Sequence, residues 1–182
     1  VLAILVGCGQ AENSLLLLNK LPDVKAINIT GNNVFSEGGL KKLMALQEGT
    51  WWNPFRDHKY REAQLQTDLN AITTHYLRHG YLRAHVQNYS VRESKGDVTI
   101  DIVLSEGEPT TVKEVSLRGV PSDLRKNVEK NLGLKSGKAM DPFRLVEDQQ
   151  VIANILADDG YWNAKVDATV QYFGNEGLVF YA

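Results

Sequence analysis

The residues with most chemistry to offer lie between Trp51 and His79. His75 and His79 stand four apart, the spacing at which two imidazoles share one helix face and can ligate a metal. No third ligand lies nearby, so they read as solvated helix positions and no metal site is expected. Arg56, Asp57, His58, Lys59, Arg61 and Glu62 crowd acids and bases into one short run, which would suit proton transfer. The charged, solvated start of a helix accounts for them better. Trp51, Trp52 and Phe55 place three aromatics in one loop. Such a loop is either a hot spot for a partner or a cap on the core of a small domain. Cys8 is the only cysteine, which excludes an internal disulfide and a cysteine metal cluster. Leu5-Val6-Gly7-Cys8 closes the apolar run VLAILVGC in the form of a lipobox, with Cys8 as a lipidation site. The alternative is a strand at Val1–Gly9, turned at Ala11-Glu12-Asn13 into a second strand at Ser14–Leu18. No glycine-rich phosphate loop, Ser/His/Asp order or zinc spacing is present. The expectation is no catalytic residue, no metal and no cofactor, with function carried by surfaces.

Composition supports the same view. The 182 residues are 43% hydrophobic and 23% charged, an ordinary globular balance. The net charge is −2, without a basic run or an aromatic–basic ladder, so nucleic acid is not an expected partner. The apolar runs Val1–Cys8 and Leu15–Leu18 are too short to span a bilayer as a helix. The chain opens on Val1 without a methionine and ends at Ala182 inside an apolar run, and it reads as part of something longer.

The elements that must position any site follow from periodicity. Val24–Thr30 is a β-branched strand ending at the turn Gly31-Asn32. Ser36–Gln47 is a short helix with Ser36 as N-cap, weakened by Gly38 and Gly39. A long helix is expected over Lys59–Arg78, with Tyr60, Leu65, Leu69, Ile72, Tyr76 and Leu77 on one stripe and Gly80 as its stop. Asn53-Pro54 opens it as cap and first turn. Strands follow at Ala84–Val91 and Val98–Leu104, the second alternating cleanly as a half-buried antiparallel strand does.

The plan then repeats. Gly31 and Gly119, Gly49 and Gly137, and Pro54 and Pro142 are each 88 apart, whereas Gly80 and Gly160, like Ala84 and Ala164, are 80 apart. Such a long period indicates tandem domains. The second copy carries a strand at Val112–Arg118, helices at Ser122–Leu132 and from Asp141-Pro142 to Gly160, an alternating strand at Ala164–Tyr172 and a last strand at Leu178–Tyr181. Each copy reads β-α-α-β-β, an α+β class in which two helices cover one face of a small sheet. The divisions expected are residues 1–22, 23–108 and 109–182, the first being the remnant of an upstream hairpin or the tail of a lipoprotein signal.

The stretches INITGNNVFS (27–36), KYREAQLQTDL (59–69), YLRHGYLRAHV (76–86), VTIDIVLSEGEP (98–109), EVSLRGV (114–120) and LADDGYWNAKV (156–166) carry a resemblance. The chain resembles tandem POTRA (polypeptide-transport-associated) domains, over about residues 24–182. With Trp51-Trp52-Asn53 and Lys59-Tyr60, it looks most like the second and third POTRA domains of the BamA family of outer-membrane assembly factors. The second copy departs from the pattern, with VPSDL where an Asn and an aromatic usually follow the glycine, which leaves TamA-like relatives open.

That resemblance implies three-stranded mixed sheets with the third strand central and the second at an edge. It implies a periplasmic module on the outer membrane that receives unfolded β-barrel proteins or accessory lipoproteins and passes clients to the protein's own C-terminal membrane barrel. The edge residues singled out are Ala84, His85, Val86, Gln87, Asn88 and Tyr89, and Ala164, Lys165, Val166, Asp167, Ala168, Thr169 and Val170. An extended peptide can complete such edges through backbone pairing. The alternative is that they are plain edges, blunted by Arg83, His85, Arg92, Lys165 and Asp167. Proline at Gln87 or Thr169 is expected to abolish binding without unfolding. Other readings are a structural adaptor, whether TamA-like, lipid-anchored or of the cell-division type.

Overall fold

The structure is a computed structural model that describes residues 21–49 and 58–182. Cys8, the expected N-terminal hairpin, the Asn53-Pro54 cap and the aromatics Trp51, Trp52 and Phe55 lie outside the described residues. The chain packs as two compact units, one running through Thr73 and taking in His85–Ser105, the other formed by Thr74–Ala84 with Glu106–Ala182.

In the first copy of the repeat, strand β1 (Asp23–Thr30) buries Val24, Ile27 and Ile29. Helix α1 is short, Glu37–Lys41, and Ser36 caps it by accepting the Gly39 N–H at 3.2 Å. It ends well before Gln47: the Ala45 and Leu46 N–H groups are taken by the Asp68 carboxylate instead of by carbonyls of a continuing helix. Helix α2 (Glu62–Arg78) buries Leu65, Leu69, Ile72 and Tyr76 on the expected stripe. Gly80, at φ +88°, ends it: its N–H donates to Leu77 O and the Tyr81 N–H donates to Tyr76 O, both at 3.1 Å. That pair of bonds closes the carbonyls a helix end leaves open.

Strands β2 (His85–Ser94) and β3 (Asp97–Ser105) form an antiparallel hairpin. Its turn, Lys95-Gly96, has φ of 56° and 84°, positive at both positions as a two-residue hairpin of native twist requires. The third strand is central: the order is β1-β3-β2, with β1 parallel to β3. Val98, Ile100, Ile102 and Leu104 of β3 are all buried.

The second copy repeats the order as β4 (Thr111–Leu117), α3 (Ser122–Asn131), α4 (Pro142–Asp158), β5 (Ala168–Phe173) and β6 (Glu176–Tyr181). Its sheet runs β4-β6-β5, again mixed. Asp141 caps α4 by accepting the N–H groups of Phe143 (2.9 Å) and Arg144 (3.4 Å), with Pro142 in the first turn. The core joins Val128 of α3, Ile152 and Leu156 of α4 and Val179 and Tyr181 of β6. The protein is thus an α+β fold of two three-stranded mixed sheets with their helices, as the pattern predicts.

One device appears in both copies and is not apparent from hydropathy. Asp68 of α2 is buried and accepts the N–H groups of Ala45 (2.8 Å) and Leu46 (2.9 Å). Asp148 of α4, 80 residues on, accepts those of Gly133 (2.6 Å) and Leu134 (2.9 Å). A buried carboxylate with several N–H donors is a tie rather than a liability. Here it fixes the segment after the first helix of each copy to the second helix.

Candidate functional site: the free rims of the two sheets

A three-stranded sheet has two rims. The β1 rim is taken up by the chain itself: the Val24 N–H donates to His58 O (2.8 Å), the Gly49 N–H to Val24 O (2.7 Å) and the Ile27 N–H to Glu48 Oε1 (2.8 Å). The β4 rim is closed likewise, the Val112 N–H donating to Lys138 O (2.8 Å) and the Gly137 N–H to Val112 O (2.7 Å). The other rims are β2 and β5, and among the described residues no strand pairs with their outer sides.

Register decides which groups face outward. A two-residue hairpin closes on a hydrogen-bonded pair, here Ser94 with Asp97, and bonded pairs then recur at every second residue. Arg92, Ser90 and Asn88 therefore spend their backbone groups on β3, while Tyr89, Val91 and Glu93 turn theirs outward. On β5 the parity is directly visible. Asp167 and Ala182 exchange both bonds, at 2.9 and 3.0 Å, so Thr169 and Gln171 also face β6, while Ala168, Val170 and Tyr172 face outward.

The expected site residues fall unevenly on these rims. Val86, Gln87, Asn88 and Tyr89 line one side of a groove of about 390 Å³ whose other side is Gln66, Leu69, Asn70 and Thr73 of α2. Gln87 is the extra residue of a β-bulge: Val86 pairs with Leu104 and Asn88 with Val103. His85 begins the strand opposite Ser105. Ala84 is not on the rim. It is buried, and its N–H donates to Tyr81 O at 3.0 Å. In the second copy Ala168, Thr169 and Val170 are in β5, but Ala164, Lys165, Val166 and Asp167 precede it. The strand expected from Ala164 starts later, at Ala168, and the Ala164 N–H is held in a turn by Tyr161 O (3.1 Å), as that of Ala84 is by Tyr81 O. Thr169 is an inward-facing position, so proline there would break the sheet rather than block the rim.

Tyr89 is tied to the helix. Its hydroxyl accepts from Gln66 Nε2 at 2.7 Å and donates to Glu62 Oε1 at 3.3 Å. Tyr60 also donates to Glu62, and these donors, Tyr60 first, hold the Glu62 carboxyl below its usual range. Burial, then Glu62, push the Tyr60 phenol well up. These shifts belong to a hydrogen-bonded brace at one end of the groove. Arg92 does not guard the rim: its guanidinium lies 2.7 Å from Asp101 of β3. Asn28 of β1 donates to the same carboxylate at 2.8 Å, which with Arg92 lowers its pKa. The His75 and His79 rings lie with centroids 4.3 Å apart and tilted by 45°, with a His79 ring nitrogen 2.7 Å from His75 O, and no group of three metal-ligating side chains occurs among the described residues.

The groove, the bulge and the closed β1 and β4 rims were not foreseen from sequence. A partial signal existed for the bulge, since the copies are offset by 80 residues at Val86 and Val166 but by 79 at the hairpin turns.

Two small mixed sheets, each in the order first-third-second strand and each accompanied by two helices, define the class of fold. The family model for POTRA, described as a surface antigen variable number repeat, matches residues 22–107 and 110–181, and the chain belongs to this family. It is 27% identical over 146 residues to the outer membrane protein assembly factor BamA of Neisseria meningitidis, covering 78% of this chain and 18% of that protein. It is 25% identical over 144 residues to a putative outer membrane protein assembly factor of Treponema pallidum, covering 76% and 17%. Among solved structures, it is similar to Haemophilus influenzae BamA POTRA3-5, with a TM-score of 0.61 at 21% identity over 88% of this chain and 65% of that one. The chain thus spans about a fifth of the length of these curated relatives. No helix among the described residues is long and apolar enough to cross a membrane.

Proposed function

We propose that the chain is a periplasmic module of an outer-membrane β-barrel assembly factor that holds extended segments of client proteins by strand addition. The observation that carries this reading is the outer side of β2, where outward backbone groups border a groove against α2. The similarity to outer membrane protein assembly factors supports this reading, in which the module lies on the periplasmic side of the outer membrane, takes unfolded barrel proteins or accessory lipoproteins as partners and passes clients to a membrane barrel. Backbone pairing ignores side-chain identity, which suits a receptor for many precursors.

Magnitudes favour a relay. Tyr89, Val91 and Glu93 each offer one donor and one acceptor, about six hydrogen bonds in all, for a net gain of roughly 3–9 kcal/mol. Association itself costs about 4–15 kcal/mol. Backbone pairing alone therefore binds weakly, and groove contacts add what makes the complex useful yet reversible.

The test uses a decapeptide of alternating valine and threonine with terminal lysines, followed by fluorescence anisotropy. Tyr89→Pro removes an outward N–H and should lower affinity at least ten-fold below that of Tyr89→Ala, which loses only the ring. Equal affinities for the two variants, each folded by circular dichroism, would refute the reading.

A further inference from the structure

The two copies differ at the place where helix and rim strand meet. In the first copy, Leu69 of α2 and Val86 of β2 both line the groove. Eighty residues on, the same two positions are Gln149 and Val166. The Gln149 Nε2 donates to Val166 O at 2.8 Å. Leucine has no donor and leaves its counterpart open; glutamine bridges from helix to strand.

The acceptor it takes is one an added strand would use. Asp167 spends both backbone groups on Ala182, so the neighbouring Val166 carbonyl is turned away from β6. The Gln149 side chain therefore occupies the first outward acceptor. An intramolecular donor acts at an effective concentration on the order of millimolar or more, so a weakly bound peptide does not displace it. The second copy also lacks the bulge: β5 pairs with β6 without a register shift and has 6 residues, against 10 in β2.

We infer that Gln149, bonded to the Val166 carbonyl, closes the β5 rim to strand addition, so that an extended peptide enters only beside β2. This assignment rests on the proposed strand-addition function. The groove that remains presents Gln66, Asn70 and Thr73 beside Leu69 on its helix side, a neutral wall of amide, hydroxyl and aliphatic groups. It suits extended segments whose helix-facing side chains are uncharged, such as alternating aliphatic and threonine residues.

The experiment measures amide hydrogen exchange by NMR on the whole chain with the same valine–threonine decapeptide. In the native protein the peptide should slow exchange at Tyr89, Val91 and Glu93 at least ten-fold and leave Ala168, Val170 and Tyr172 unchanged. Gln149→Leu should extend protection to the second set. Gln149→Glu, which keeps the length but not the donor, should do the same. Equal protection of both rims in the native protein would overturn the assignment, as would either variant leaving Ala168, Val170 and Tyr172 unprotected while the β2 amides respond. Protection at neither rim in any variant would instead remove strand addition itself, and the assignment with it.

Discussion

At the scale of single residues, the two buried aspartates carry more of the fold than their hydropathy indicates. Asp148 accepts from Gly133 N–H, Leu134 N–H and the Tyr181 hydroxyl, the last at 3.0 Å. Replacing it with alanine strands two buried donors, the Leu134 N–H and the Tyr181 hydroxyl, at about 1–3 kcal/mol each, and frees the less buried Gly133 N–H to water. Asp148→Ala should therefore lose about 3–5 kcal/mol, read as a lowered urea midpoint, while Tyr181→Phe should lose about 1 kcal/mol. The same network sets an alkaline limit. Burial, then Asp148, raise the Tyr181 phenol far above its ordinary value of 10.0. The folded state thus keeps a proton that the unfolded chain gives up near 10. The stabilisation is whole below that pH and declines as pH rises through it toward the folded value. The urea midpoint should fall above about pH 10, and Tyr181→Phe should flatten that fall. Asp68 and Asp148 were within reach of sequence reasoning. Each breaks the apolar stripe of its helix at the same repeat position, and a charge retained there in both copies signals a buried partner.

At the scale of elements, strand positions were easier to read than strand directions of bonding. Alternation in VTIDIVL located β3 and its buried face, because side chains alternate with period two. It did not say which backbone groups of β2 and β5 point outward, since that depends on hairpin closure and on the bulge at Gln87. The consequence is testable on β5. Val170 turns its N–H outward and Thr169 turns its N–H toward Phe180. Val170→Pro should leave the fold within about 1 kcal/mol, whereas Thr169→Pro should cost about 3 kcal/mol or more, compared by thermal melts. Matching losses at both positions would contradict the register. The helices show the same division. Their apolar stripes and the Asp141-Pro142 start were legible, but the early end of α1 goes with the Ala45 and Leu46 N–H groups bonding to Asp68 of another helix.

At the scale of the whole molecule, packing does not follow the sequence repeat. Residues 74–84 come from the first copy but pack in the unit that contains Glu106–Ala182. Within that unit the Thr110 N–H donates to Gly80 O at 2.8 Å, and the Met140 N–H donates to Thr110 O at 2.9 Å. A Cβ at Gly80 would lie 2.6 Å from Thr110 O, whereas one at Gly160, with a similar φ of +96°, meets nothing within 4 Å. Gly160→Ala should cost about 1–2 kcal/mol for its backbone conformation alone. Gly80→Ala should cost a further 1–3 kcal/mol or so, because backbone must move to admit the methyl group. Equal shifts in the urea midpoint would show that the close approach at Gly80 carries no energy.

The chain by itself determined the class of fold, the tandem repeat, the order of elements and the family resemblance. Those depend on side-chain periodicity, turn residues and caps, which act over a few neighbouring positions. Tertiary structure alone decided which rims are open. Whether an edge group is free depends on what another element brings to it, as Gln149 brings a donor to the Val166 carbonyl across 17 residues and Glu48 an acceptor to the Ile27 N–H across 21. Hydrogen bonds over such separations leave no period in the sequence, and a one-residue bulge reverses outward and inward for everything beyond it.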